Sequence, residues 1–132
     1  MKESNKAAMV DAYIKAIRDS DAAALDKLLA PDFTLTVPQP SLEVAAPLDR
    51  ATAIGLLTDT ERNFIDMRTI TFKRTNVVET GTDYVVEMSV HAALKKGGSY
   101  DNVYVVWYRF ADGKIKSCRE HLDTAYLKAA MN

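Results

Sequence analysis

From Ser4 onward, apolar residues return every three or four positions, at Ala8, Met9, Ala12, Tyr13, Ala16 and Ile17, which predicts an amphipathic helix ending near Arg18. Asp21 is placed to cap a second, short helix over Ala22 to Leu29, and Pro31 stops it because the residue before a proline is disfavoured in the helical region. Asp32 to Val37 alternates and is β-branched, so it reads as a short strand. Val37 to Pro47, holding Pro38, Pro40 and Pro47, reads as an irregular loop. Asp49 then caps a third helix reaching about Phe64, with Ala53, Ile54, Leu57, Glu61 and Phe64 along one side.

At Met67 the period changes to two. Turn signals at Gly81, Gly97-Gly98 and Asp112-Gly113 divide the C-terminal half into four strands, about 67–79, 83–95, 99–110 and 114–122, joined as consecutive hairpins. Helical spacing resumes from Asp123 to Met131 as a tail helix, with Asp123-Thr124 reading as its cap. Helices succeeded by long antiparallel strands predict an α+β fold, one domain over residues 1–132, with the sheet curled around the helices.

Hairpin register decides which polar groups meet. A two-residue turn at Lys96-Gly97 or at Gly97-Gly98 places Glu87, Ser89 and His91 on one face with Asn102, Tyr104, Val106 and Tyr108. A three-residue loop ending at Gly113 adds Cys118, Glu120 and Leu122 to that face; a two-residue Asp112-Gly113 turn selects Ser117, Arg119 and His121 instead. The opposite face reads Tyr84, Val86, Met88, Val90, Val103, Val105 and Trp107, almost wholly apolar. Two arrangements suit such a sheet: the mixed face inside with the apolar face against a second subunit, or the apolar face on the helices with the mixed face in water.

Composition narrows the function. With 132 residues, 48% hydrophobic and 27% charged, the chain suits a single globular domain, and a net charge of -1 removes the electrostatic footprint that nucleic acid or an anionic membrane requires. One cysteine, Cys118, excludes an internal disulfide framework and a multi-thiolate zinc site, and fits a reducing cytoplasm. No apolar run has signal-peptide or membrane-spanning length. No metal-ligand cluster, glycine-rich phosphate loop or hydrolase nucleophile motif is present, so neither metal nor cofactor is expected.

Three stretches carry a family likeness: Tyr13-Ile14 through Asp21, Leu25 and Leu28-Leu29-Ala30-Pro31-Asp32-Phe33; Trp107-Tyr108-Arg109-Phe110-Ala111-Asp112-Gly113-Lys114-Ile115; and Arg119-Glu120-His121-Leu122-Asp123-Thr124. In this order they resemble the nuclear transport factor 2-like superfamily, and within it the SnoaL-like and ketosteroid isomerase-related proteins. The resemblance implies a cone-shaped fold, N-terminal helices packed in a curved antiparallel sheet, an apolar pocket inside, and a homodimer through the outer sheet face. It also implies that the mixed face is the inner one. Members isomerise, cyclise, dehydrate or hydrolyse small organic molecules, while others only bind or dimerise, so fold alone does not name the function.

Carried over by position, Tyr13 stands where ketosteroid isomerases have an oxyanion-binding tyrosine, but their base falls on Val37 and their protonated aspartate on Val106. Valine neither takes nor donates a proton, so that reaction is not expected. Compared with limonene epoxide hydrolases, Glu120 matches the water-activating carboxylate, while the aspartate and its arginine partner fall on Ser89 and Glu87.

Glu120 is therefore the first candidate acid/base group, since a carboxylate inside an apolar cone has its pKa raised by desolvation. His91 and Tyr13 are expected to stabilise charge on a substrate oxygen. Tyr104, Ser89, Glu87, Asn102, Val106, Cys118 and Leu122 are expected to touch a small apolar ligand. The expected activity is cofactor-free isomerase, cyclase or lyase chemistry on an apolar carbonyl or hydroxyl compound, and the competing reading is a non-catalytic ligand-binding or dimerisation module.

Overall fold

The computed structural model describes residues 5–38, 46–61 and 63–132. The expected helix start at Ser4 and most of the proline loop lie outside them. The elements run α1 (Asn5–Arg18), α2 (Ala22–Leu28), β1 (Leu29–Thr36), β2 (Leu48–Asp49), α3 (Arg50–Thr58), β3 (Ile65–Glu79), β4 (Asp83–Leu94), β5 (Ser99–Ala111), β6 (Lys114–Leu122) and α4 (Thr124–Met131). Three aspartates begin helices as their positions predicted. Asp21, Asp49 and Asp123 accept hydrogen bonds from the backbone N–H of Ala24, Thr52 and Tyr126 at 3.0, 2.9 and 3.0 Å, satisfying donors that a helix start leaves open.

The six strands form one sheet in the order β2-β1-β6-β5-β4-β3. β3 to β6 make the expected antiparallel meander. β1 instead runs parallel to β6, with Leu35 opposite Cys118, so the sheet is mixed rather than wholly antiparallel. That pairing joins segments some eighty residues apart in sequence, and no local turn signal announces it.

Both hairpin registers differ from expectation, with opposite consequences. Between β4 and β5, Ala93 pairs with Ser99 and the Leu94 N–H bonds the Gly98 carbonyl, leaving Lys95, Lys96 and Gly97 as a three-residue loop. Gly97 at φ +100 and Gly98 at φ +87 supply the backbone conformations it needs. An odd loop reverses parity, so Met88 faces Tyr104 and Val90 faces Asn102, while Glu87, Ser89 and His91 turn to the outer face. Between β5 and β6 the turn is the two-residue Asp112-Gly113, both at positive φ, with Ala111 opposite Lys114. A bulge at Lys116 restores the parity, pairing Tyr108 with Cys118, Val106 with Glu120 and Tyr104 with Leu122. The predicted turn was wrong there and the predicted face was right.

The inner face thus combines the apolar residues of β4 with the mixed set of β5 and β6, and neither arrangement expected from pattern alone describes it. α1 lies against this face through Ala7, Val10, Tyr13 and Ala16, and the Tyr13 ring meets Tyr108 edge-on at 5.5 Å. Tyr13, Tyr84, Tyr100, Tyr108, Phe33 and Leu25 are among the largest fully buried side chains. Among the described residues, no helix is long and apolar enough to cross a membrane.

Candidate active site

Between α1 and the inner sheet face lies a cavity of about 330 Å³. Its wall is built from Ile14 and Ile17 of α1, Leu56 and Leu57 of α3, Ile70 and Phe72 of β3, and Met88 and Val90 of β4. Leu127 and Met131 of α4 complete the apolar lining. Set into this apolar wall are Tyr104, Val106 and Tyr108 of β5, Tyr13 of α1 and Glu120 of β6.

Glu120 stands directly across from Val106 and diagonally between Tyr104 and Tyr108, within reach of both long side chains. No lysine, arginine or histidine lines the cavity among the described residues. Burial without a compensating cation pushes the Glu120 carboxyl up to about 7. The other carboxylate on the wall, Asp59, is engaged in the turn after α3, where it accepts the Glu61 N–H at 3.2 Å. Glu120 is therefore balanced between acid and base near neutral pH, the condition a group needs to both take and return a proton.

Hydroxyls surround it. Tyr13 is 1% exposed, and its buried hydroxyl lies beside the Cys118 thiol without a hydrogen bond of ordinary geometry. Tyr104 shares a 2.9 Å hydrogen bond with Tyr100, which the Asn102 amide contacts at 2.8 Å. Burial holds all four tyrosines, Tyr13, Tyr100, Tyr104 and Tyr108, above their ordinary range, so they are donors and not bases. Burial also pushes the Cys118 thiol up, which removes it as a nucleophile.

Tyr13, Tyr104, Val106 and Glu120 line the cavity. Cys118 and Leu122 share the inner face without forming its wall, and Asn102 sits behind Tyr104. Three expectations are corrected by register. His91 faces outward and pairs with Asp101 at 2.5 Å, Ser89 is exposed on the same outer face, and Glu87 accepts hydrogen bonds from Thr75 at 2.6 Å and Asn76 at 3.0 Å. None of the three reaches the cavity.

The expectations missed Met88, Val90 and Phe72 as wall residues and Tyr100 as the support of Tyr104. The period-two run Tyr100, Asn102, Tyr104 carried the Tyr100 signal. Among the described residues no group of histidine, cysteine, aspartate and glutamate is arranged to hold a metal ion.

Comparison with known proteins places this architecture. An NTF2-like protein of unknown function from Burkholderia pseudomallei superposes with a TM-score of 0.80 at 20% identity, covering 98% of this chain and 99% of that one. IdmH from Streptomyces antibioticus, provisionally assigned as a polyketide cyclase, gives 0.73 at 18% identity over 95% and 96% of the two chains. TerC, co-crystallised with polyporic acid, gives 0.78 at 17% identity over 97% and 98%. At these identities the likeness shows a shared fold. A search of curated protein sequences returns no match. The model of the SnoaL-like domain matches residues 10–118, which spans most of α1, the elements from α2 to β5 and the first half of β6, with Glu120 just beyond it, and so the chain belongs to the SnoaL-like domain family.

Proposed function

We propose that the cavity binds a small, largely apolar organic molecule bearing a carbonyl or hydroxyl group, and that Glu120 moves a proton on it without a cofactor. One observation carries this reading: the half-buried Glu120 carboxylate, poised near neutrality, lines a largely apolar cavity with tyrosines beside it. The Glu120 carboxylate takes a proton from a carbon next to the carbonyl, and the electron pair left behind moves onto the carbonyl oxygen. Tyr13 and Tyr104 donate hydrogen bonds to the developing oxyanion, and Glu120 returns the proton at a second position. Isomerisation results when the proton returns to a different carbon; ring closure results when the enolate carbon instead bonds to a second carbonyl carbon of the same molecule, whose oxygen takes the displaced electron pair and then the returned proton. The fold neighbour solved with polyporic acid, and the one assigned as a cyclase, favour cyclic and aromatic compounds as the first class to test.

The test begins with a thermal-shift screen of cyclic ketones, polyketide-like aromatics, terpenoid epoxides and fatty acids. Ligand at one hundred times its Kd stabilises by about 2.7 kcal/mol, several degrees in Tm for a domain of this size. Any hit is then assayed for turnover with Glu120→Gln, which is expected to lower kcat by at least about a hundredfold. Unchanged turnover in that variant would sink the mechanism.

A second reading rests on the outer sheet face, where Val103 is 53% exposed, Trp107 41% and Val78 63%. We propose that this face forms a homodimer, as the family resemblance implies. Sedimentation of Trp107→Asp is expected to show monomer where the wild type shows dimer. Should the screen return no ligand, dimerisation becomes the leading role.

A further inference from the structure

Asn102 is 8% exposed and its amide can point only one way. Its Oδ1 accepts the backbone N–H of Val103 at 2.8 Å and of Asp123 at 3.4 Å, while its Nδ2 donates to the Asp123 carbonyl at 3.2 Å and to the Tyr100 hydroxyl at 2.8 Å. Flipping the amide would set NH2 against two N–H donors and oxygen against a carbonyl. The Tyr100 oxygen is therefore an acceptor.

Tyr100 is fully buried, stacked on Tyr126 at 5.3 Å and edge-on to Phe64 at 5.5 Å, so its ring is held in place. Its hydroxyl proton has one described acceptor, the Tyr104 oxygen at 2.9 Å. The reverse direction, Tyr104 donating to Tyr100, strands the Tyr100 proton in the core without a partner, at a cost of about 1–3 kcal/mol. Tyr104 must then send its own proton elsewhere, and the side open to it is the cavity it lines.

We infer that Asn102 is a positioning residue that polarises the Tyr100–Tyr104 pair, so that Tyr104 presents a proton to the cavity and selects a ligand whose oxygen there accepts a hydrogen bond. This deepens the proposed function by specifying the ligand group: a carbonyl, or the oxyanion formed from it, in preference to a hydroxyl needing an acceptor. It also explains the tie to α4. The same amide bonds the backbone at Asp123, which starts the helix that lines the cavity through Leu127 and Met131, so relay and helix anchor share one side chain.

Neutron diffraction from deuterated wild-type crystals decides the direction without any ligand. The deuteron between the two rings is expected on the Tyr100 oxygen, with that of Tyr104 directed into the cavity; a bridging deuteron bonded to the Tyr104 oxygen and directed at the Tyr100 oxygen overturns the inference. Calorimetric titration with 1-tetralone and 1-tetralol then reads selectivity. Wild type is expected to favour the ketone by on the order of tenfold. Asn102→Asp replaces the donor with an acceptor, reverses the relay and is expected to move preference toward the alcohol. Tyr104→Phe, which leaves Asn102 intact, is expected to abolish the preference. Ketone preference unchanged in both variants overturns the selectivity claim. Failure of both compounds to bind overturns the ligand class of the proposed function, and the deuteron position still decides the relay.

Discussion

Glu120 on the inner sheet face and Asp83 on the outer face are both largely removed from water, yet their carboxyl groups move in opposite directions, up to about 7 and down to about 2. Neighbours make the difference. Asp83 accepts from Arg109 Nε at 3.1 Å and Nη2 at 3.2 Å and from Trp107 Nε1 at 2.8 Å, so charge and hydrogen bonds outweigh its desolvation. Glu120 has apolar walls, tyrosines and a thiol around it and, among the described residues that line the cavity, no cation. The outer carboxylates Glu87 and Asp101 behave like Asp83: hydrogen bonds from Thr75 and Asn76 lower one, and those from His91 and Ser99 lower the other. Outer-face acids are thus held ionised as parts of the framework, and the inner acid is left free to exchange its proton.

The contrast is broken most severely at Glu120. Its folded pKa lies above the unfolded value of 4.5, so the fold prefers the protonated form and stability is lost as pH rises from about 4.5 through 7. Urea unfolding of wild type and Glu120→Gln is expected to show the variant gaining about 3 kcal/mol relative to wild type between pH 4 and pH 8. Parallel curves would mean that Glu120 is solvated. Asp83 carries the opposite sign, since its folded pKa lies below 3.8 and its contribution is present above that value and fades as pH falls through about 2. Asp83→Asn is expected to cost about 2 kcal/mol at pH 7, measured by the same unfolding experiment, with the deficit shrinking toward pH 2. The smallest effect belongs to Glu87→Gln and His91→Ala. Neither is expected to alter the ligand-induced rise in Tm, and a loss of ligand response in either would show that the outer face communicates with the cavity.

Tyr13 was legible because it holds an interior position in a strongly periodic helix. His91, Ser89 and Glu87 were misplaced because their assignment rested on the length of one loop. Reading Lys95-Lys96-Gly97 as a three-residue loop rather than a two-residue turn changes parity, and every side chain of β4 changes sides. At the next hairpin the bulge at Lys116 offset a misread turn, so Glu120 was placed inward for a reason the pattern did not contain.

The sequence by itself determined the order and type of every element except the two-residue β2, together with the three aspartate caps and the α+β class, since these depend on periodicity and on hydrogen bonds closed within a few residues. Only the tertiary structure decided that β1 runs parallel to β6, which face β4 presents, and that Asn102 aims Tyr104 at the cavity. Those outcomes arise from contacts between distant segments and from the summed removal of water around a group. No local window of residues contains either quantity.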